Sequence, residues 1–301
     1  MSKPSVDLSE RIYSGVLLTS LAYLLFSSQD AAIKLLVAGM SVWQIMFFRS
    51  VTVLVGAGLF GGPAVFGEAW RSPVVKPMIS RSVLILAAWL CYYSASKHLQ
   101  LAEMTTIYFA APVIVTVLGV IVLAEKVPLA RWVAVLVGFL GVFIACDPAN
   151  LGISVPVALV LASAFLWALS IVMLRKMALQ ERTIIQVVLN NVFFLVVSLP
   201  VMIALWKTPS LEELLLLVAT GALGGFAQFA LFEGMKRAPV SVLAPFEYTS
   251  LVWSFILGFL IWGDVPRREV TFGAALIVMA GVIVIVHEQF RRRGALAQPS
   301  H

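Results

Sequence analysis

The chain has 301 residues, of which 61% are hydrophobic and only 12% charged, with a mean hydropathy of +1.01. Soluble domains carry about twice that share of charge, so a water-soluble globular protein is excluded. The net charge of +6 sits at the ends of apolar stretches, where it reads as a membrane-topology signal and not as a nucleic-acid surface.

In chain order, apolar spans are expected near residues 12–36, 42–60, 78–96, 104–124 and 129–146. A second set lies near 153–174, 184–206, 212–234, 240–262 and 270–286. Each approaches the roughly 17–25 residues that a bilayer crossing needs. The first run is too long for the apolar core of a cleaved signal, and its flank carries Asp7 and Glu10, so it is read as a retained span. The segment GGPAVFGEAWRSPVVKP (61–77) is the longest break and is expected to hold a short interfacial helix. Cys91 and Cys146 both fall inside apolar runs and form neither a disulfide framework nor a metal knuckle. The expected fold class is an all-α polytopic membrane protein of ten transmembrane helices.

Orientation follows from the basic residues. With the N-terminus inside, the inner segments hold fifteen Lys and Arg, from Lys3 and Arg11 to Arg291, Arg292 and Arg293, whereas the outer ones hold five: Lys34, Lys97, Lys207, Arg267 and Arg268. Arg49 lies within a span. Both termini are therefore expected on the cytoplasmic side.

The chain also repeats itself. LAEKVPLARW (123–132) and IWGDVPRREV (261–270) each close an apolar span with an acid, Val-Pro and a basic residue, at an offset of 138. Phe26 and Lys34 are echoed by Trp167 and Arg175 at an offset of 141, and Asn190 falls 141 residues after Arg49. Two homologous five-helix halves follow from these matches. Because five is odd, the second half must enter the membrane from the opposite side, which is the inverted repeat of many secondary transporters. The boundaries expected are 1–148 and 149–290, with a basic tail at 291–301.

These features resemble the drug/metabolite transporter superfamily, and within it the EamA-type bacterial exporters, which include amino-acid exporters. The motifs that carry the resemblance are an aromatic followed eight residues later by a cation at the end of each half's first helix, Glu125 and Pro128 after the fourth helix, and Gly141-Val142 and Gly281-Val282 closing each half. Asp264 stands where the second half would carry Glu, and Ser250 where a proline matching Pro112 is expected. The resemblance implies a basket of helices around a central cavity in a bacterial cytoplasmic membrane.

Charged side chains at membrane depth are expensive, so they face a partner or a cavity. Asp30 and Arg49 lie about seven residues from the same end of adjacent spans, roughly 10 Å deep at the helical rise. They are expected to pair, either structurally or as a gate of the outer vestibule. Lys34 is expected to reach the headgroups; Gln29 stands beside Asp30 and its direction stays open. Glu233 has Lys236 and Arg237 one turn away, whereas Glu247 has no local partner and is a candidate carboxylate for a proton or amine. Glu103 and Glu125 are read as interfacial.

Trp43, Trp70, Trp132, Trp206 and Trp262 suit interfacial belts. Trp89, Tyr92, Tyr93, Tyr108, Trp167 and Tyr248 lie deeper and, with Gln228 and Glu247, are the candidate cavity lining, packing against lipid or helices being the plainer alternative for each ring. Gly221, Gly224 and Gly225 permit close helix contact. Pro112 and Pro245 are candidate hinges.

No G-x-x-x-x-G-K-[ST] loop, nucleophile elbow, His or Cys cluster or metal spacing occurs in the chain. An ATP-driven pump, a membrane enzyme, a cofactor and a metal are therefore not expected, and the loops are short for a channel filter. The deep polar set holds too few cations for a phosphate ester. It suits a small zwitterion with an apolar or aromatic side chain, and so the expected partners are a small-molecule solute (a neutral or aromatic amino acid or a similar metabolite) and the lipid bilayer. Export of cationic or amphiphilic drugs and passive facilitation remain the alternatives. Oligomeric state does not follow from the sequence.

Overall fold

The computed structural model describes residues 8–123, 129–147, 154–177, 181–237 and 243–296, and every element among them is helical. The first part comprises α1 (Leu8–Val37), α2 (Val42–Gly61), α3 (Ala64–Arg71), α4 (Val75–Ala95), α5 (Leu101–Tyr108), α6 (Ala110–Leu123) and α7 (Leu129–Cys146). The second comprises α8 (Val155–Met177), α9 (Thr183–Ala204), α10 (Leu211–Arg237), a short 3₁₀ segment (Ala244–Tyr248), α11 (Thr249–Trp262) and α12 (Arg268–Leu296). Among the described residues, seven stretches are long and apolar enough to cross a membrane, and Trp132–Cys146 and Phe246–Trp262 are shorter apolar helices. The short helix expected in 61–77 is α3, with Val65 and Ala69 buried and Phe66 and Trp70 exposed. Glu125, Pro128 and the other residues of 124–128 lie outside the described residues.

Proline decides where the fourth apolar stretch breaks. A proline inside a helix clashes with the carbonyl four residues earlier and removes its own N–H. Four residues before Pro112 is Tyr108, the last residue of α5. The chain leaves the helix for Phe109 alone, whose N–H donates to the Thr105 and Thr106 carbonyls at 3.2 and 3.3 Å. Pro245 acts differently. It stands in the first turn of the 3₁₀ segment, where a missing N–H is harmless, and the chain tightens there before α11 begins. The span expected at 240–262 is thus a 3₁₀ turn joined to an α-helix.

The helices pack by exchange. α1 lies along α10 and α11, and α8 lies along α4 and α6; α2 packs on α9, and α7 on α12. Exchanging α1 with α8, α2 with α9, α4 with α10, α6 with α11 and α7 with α12 maps these contacts onto themselves. Ile33, Ile45, Met46, Met104, Ile107 and Phe194 form the centre of the larger core. A second cluster of Leu54, Val65, Met78, Ile185 and Val188 lies at the α3 end. Outside, Leu59, Phe60, Phe139, Phe259, Leu260 and Phe272 are all at least 57% exposed, an apolar surface that only lipid covers without penalty.

Lipid is as apolar as a leucine side chain, so helix association in it depends on close packing by small residues. The α7–α12 contact shows this. A Cβ on Gly141 would stand 2.7 Å from the Gly273 carbonyl and 3.0 Å from Ile277, and a Cβ on Gly273 would run into the Gly141 carbonyl and Ala145. A Cβ on Gly56 of α2 would meet nothing within 4 Å outside its own helix backbone. Gly141→Val is therefore expected to cost about 1–3 kcal/mol of packing strain, read as a fall in melting temperature and folded yield in detergent. Gly56→Val should leave both near wild type, and equal losses at the two positions would refute the close α7–α12 packing.

Candidate functional site

The first candidate site is a polar relay buried where α1, α2 and α4 meet. Arg49 and Asp30 attract one another electrostatically without a direct guanidinium–carboxylate contact. Two neutral side chains stand between them. Arg49 Nε donates to Gln29 Oε1 at 3.4 Å, Gln29 Nε2 donates to Tyr93 Oη at 3.2 Å, and Tyr93 Oη donates to Asp30 Oδ1 at 3.4 Å. Every donor faces an acceptor, so the relay is polarised from the cation to the anion and each bond strengthens the next. The helical step of about 100° per residue lets adjacent Gln29 and Asp30 reach different neighbours. Arg49 is 3% exposed, its guanidinium lies over the Trp89 ring at 4.0 Å, and its Nη1 has no hydrogen-bond partner. A cation–π contact holds the plane of the head group while leaving its edge donors free.

The expected aromatic residues fall into two groups. Tyr92 and Tyr93 are buried, and their rings are 5.6 Å apart; Tyr92 meets Tyr108 at 5.3 Å, and Trp89 meets Phe194 at 5.1 Å and Tyr93 at 6.5 Å. This set lies beside the relay, with Asp30 in electrostatic reach of Tyr92 and Tyr108. Tyr248 belongs to the second group. Its ring stacks on Phe109 at 5.3 Å and 19°, joining the break after α5 to the 3₁₀ segment before α11. Glu247, half-buried, is in electrostatic reach of Tyr23, Tyr108 and Tyr248. Trp167 on α8 packs half-buried against the large core. Gln228, half-buried on α10 one turn after Gly224, makes no hydrogen bond among the described residues.

Sequence reasoning missed the charges at the opposite end from α3. Lys34 does not run out to the solvent. Its Nζ is 3.5 Å from Asp264 and lies over the Trp262 ring at 4.7 Å, which ties α1 to the end of α11. Arg267 Nη2 and Nε donate to Glu103 Oε1 at 2.6 and 3.0 Å, and Arg267 Nη1 donates to Asp147 at 3.4 Å. One guanidinium thus clamps the ends of α5, α7 and α12. Gln44 and the Lys207 backbone exchange hydrogen bonds of 2.7 and 3.1 Å. At the α3 end, Arg182 meets Glu68 at 2.9 Å, and Glu233 pairs with Arg237 at 3.4 Å as its spacing implied. Acids and cations crowded on the same set of span ends, Glu103 and Asp147 near Arg267 and Lys34 near Asp264, were the legible signal.

Comparison with known proteins places this architecture. The EamA-like transporter family matches the chain twice, over residues 13–146 and 155–286. The S-adenosylmethionine uptake transporter of Rickettsia prowazekii is 25% identical over 94% of this chain and 96% of its own length. The pseudopaline exporter of Pseudomonas aeruginosa is 28% identical over 89% and 94%, and the riboflavin transporter of Vibrio cholerae 28% identical over 70% and 71%. A crystal structure superposes on 91% of this chain and 97% of its own with a TM-score of 0.64 at 21% identity, a likeness of fold.

Glu103 is 90% shielded, so truncating its partner leaves Oε1 without a hydrogen bond while Oε2 keeps the Gln100 N–H. Arg267→Leu is expected to cost about 1–3 kcal/mol for that unmet group, seen as a lower melting temperature. The swapped pair Glu103→Arg with Arg267→Glu should recover part of the loss. A swap no better than the single change would mean that the clamp does not hold these helices.

Proposed function

The chain belongs to the EamA-like transporter family, and from that premise we propose that it is a secondary transporter moving neutral and aromatic amino acids across a bacterial cytoplasmic membrane, outward in cells, by alternating access. The relatives' names speak for small organic solutes: S-adenosylmethionine, riboflavin and pseudopaline. S-adenosylmethionine itself joins an amino-acid head group to an aromatic base. The observation that carries the solute class is the pairing of opposite charges with aromatic rings. Arg49 and Asp30 offer one cation and one anion, and Tyr92, Tyr93, Tyr108 and Trp89 lie beside them. Such a lining binds a zwitterion with an apolar body and lacks the several cations a phosphate ester demands.

The architecture we infer is two inverted five-helix repeats, residues 1–148 and 149–290, with both termini cytoplasmic. Three observations support it: the reciprocal helix packing, the double family match and the basic residues concentrated on one set of loops. In this reading the breaks at Phe109 and at the 3₁₀ segment are where the halves flex, near Pro112 and Pro245. Trp167, Gln228, Glu247 and Tyr248 complete the solute path.

Liposomes loaded with labelled L-phenylalanine and diluted into unlabelled L-phenylalanine should show counterflow, which a passive channel does not produce. Trp167→Ala and Tyr248→Ala are expected to lower the rate several-fold at near-normal folded yield. Exchange of a cationic drug without any amino acid would overturn the substrate while leaving transport intact. For orientation, a cysteine at Thr208 should label from outside intact cells and one at Gln180 should not; the opposite pattern would reverse the topology.

A further inference from the structure

We propose that Arg49 and Asp30 are the two ends of a binding site for the head group of an α-amino acid, the guanidinium taking the carboxylate and the Asp30 carboxylate taking the ammonium. This rests on the transport reading above and names the chemical group that the site recognises. The relay itself is the first argument. A pair built only to neutralise itself inside the membrane would close directly, since contact gives the largest attraction. Here Gln29 and Tyr93 hold the charges apart through three hydrogen bonds of 3.2–3.4 Å. The bridging groups are spent on each other, and the open valences are left at the ends.

Those ends are unfilled in a specific way. A guanidinium has five N–H donors; among the described residues only Nε of Arg49 has a hydrogen-bond partner, and Nη1 is buried without one. Asp30 accepts one hydrogen bond, at Oδ1 from Tyr93, and is half-buried. A carboxylate presented to the guanidinium edge completes the two-pronged geometry that arginine favours. An ammonium beside it completes Asp30. A zwitterion satisfies both and adds no net charge to the membrane interior, which neither an anion nor a cation alone achieves.

The surroundings hold the two ends in place. Trp89 supports the guanidinium face at 4.0 Å. On α10, a Cβ at Gly224 would overlap Gln29 Oε1 and stand 3.1 Å from Arg49 Nη2, so the glycine leaves the space in which the relay lies. Tyr93, which donates to Asp30, packs on Tyr92 at 5.6 Å, and Tyr92 on Tyr108 at 5.3 Å, a row of rings for the side chain that follows an α-ammonium.

The test is competition against labelled L-phenylalanine counterflow by two probes that each lack one end: L-phenylalaninamide, with no carboxylate, and 3-phenylpropanoate, with no ammonium. The wild-type protein should prefer L-phenylalanine to each by tenfold or more. Arg49→Leu should erase the preference over the amide and keep that over 3-phenylpropanoate, and Asp30→Asn should do the reverse. Where Arg49→Leu does not fold, Arg49→Lys and Gly224→Ala serve instead, each expected to shrink the amide ratio selectively. Variants that fold and keep both wild-type ratios, or lose both together, overturn the site while leaving amino-acid transport standing. A wild-type protein that exchanges no amino acid overturns the substrate reading itself, and one that takes the amide as readily as the amino acid removes Arg49 from recognition.

Discussion

A charge placed inside a bilayer must be met by another group, because no water is there to meet it. That constraint shapes this protein more than any apolar contact does. Arg49 is met by a ring below, an amide at its side and, through a phenol, by a carboxylate on the helix that also supplies the amide. Since Gln29 and Asp30 are on α1, Arg49 on α2, and Trp89 and Tyr93 on α4, a single polar relay sets the relative rotation of three helices. The apolar residues around it, Ile33, Ile45 and Phe194 among them, have only to fill the space that this rotation leaves.

The same accounting extends to the two ends of the bundle. Charges at span ends have the choice of headgroups or one another, and here several choose one another. Lys34 and Asp264 join α1 to α11, and Arg267 gathers α5, α7 and α12. Lys34–Asp264 and Arg267–Glu103 each cross from one family-matched segment to the other, and Asp147 follows directly on the first. The interior is left to small residues, with Gly141 against Gly273 and Gly221 against Thr52 bringing backbones together where side-chain burial has no driving force.

Much of this was legible in the chain alone, for reasons that can be named. Composition forces the membrane class, and Pro112 marks its break because the clash it makes falls on one definite residue, Tyr108. Asp30 and Arg49 stand out because nothing lipid-facing could carry them. What lay beyond reach was which neighbour each polar group would find. Gln29 was one helical step from Asp30, yet its bond to Tyr93 depends on how α4 is turned against α1. Lys34 had a sufficient explanation in headgroups until α11 brought Asp264 alongside. Pro112 and Pro245 look alike in sequence, but one interrupts a helix and the other begins a 3₁₀ turn, a distinction made by how many residues precede each in its helix.

The Tyr248 ring is caught between two surfaces. Phe109 stacks on one face, and the space that a Cβ at Gly281 would need is taken by ring atoms of Tyr248. Positions 248 and 281 therefore share one allotment of volume between α12 and the junction ahead of α11. A methyl added at 281 fits only with a smaller residue at 248, and the stacking partner at 109 then loses its platform. What reads as a glycine before a valine near the end of the chain is the room required by a ring thirty-three residues earlier.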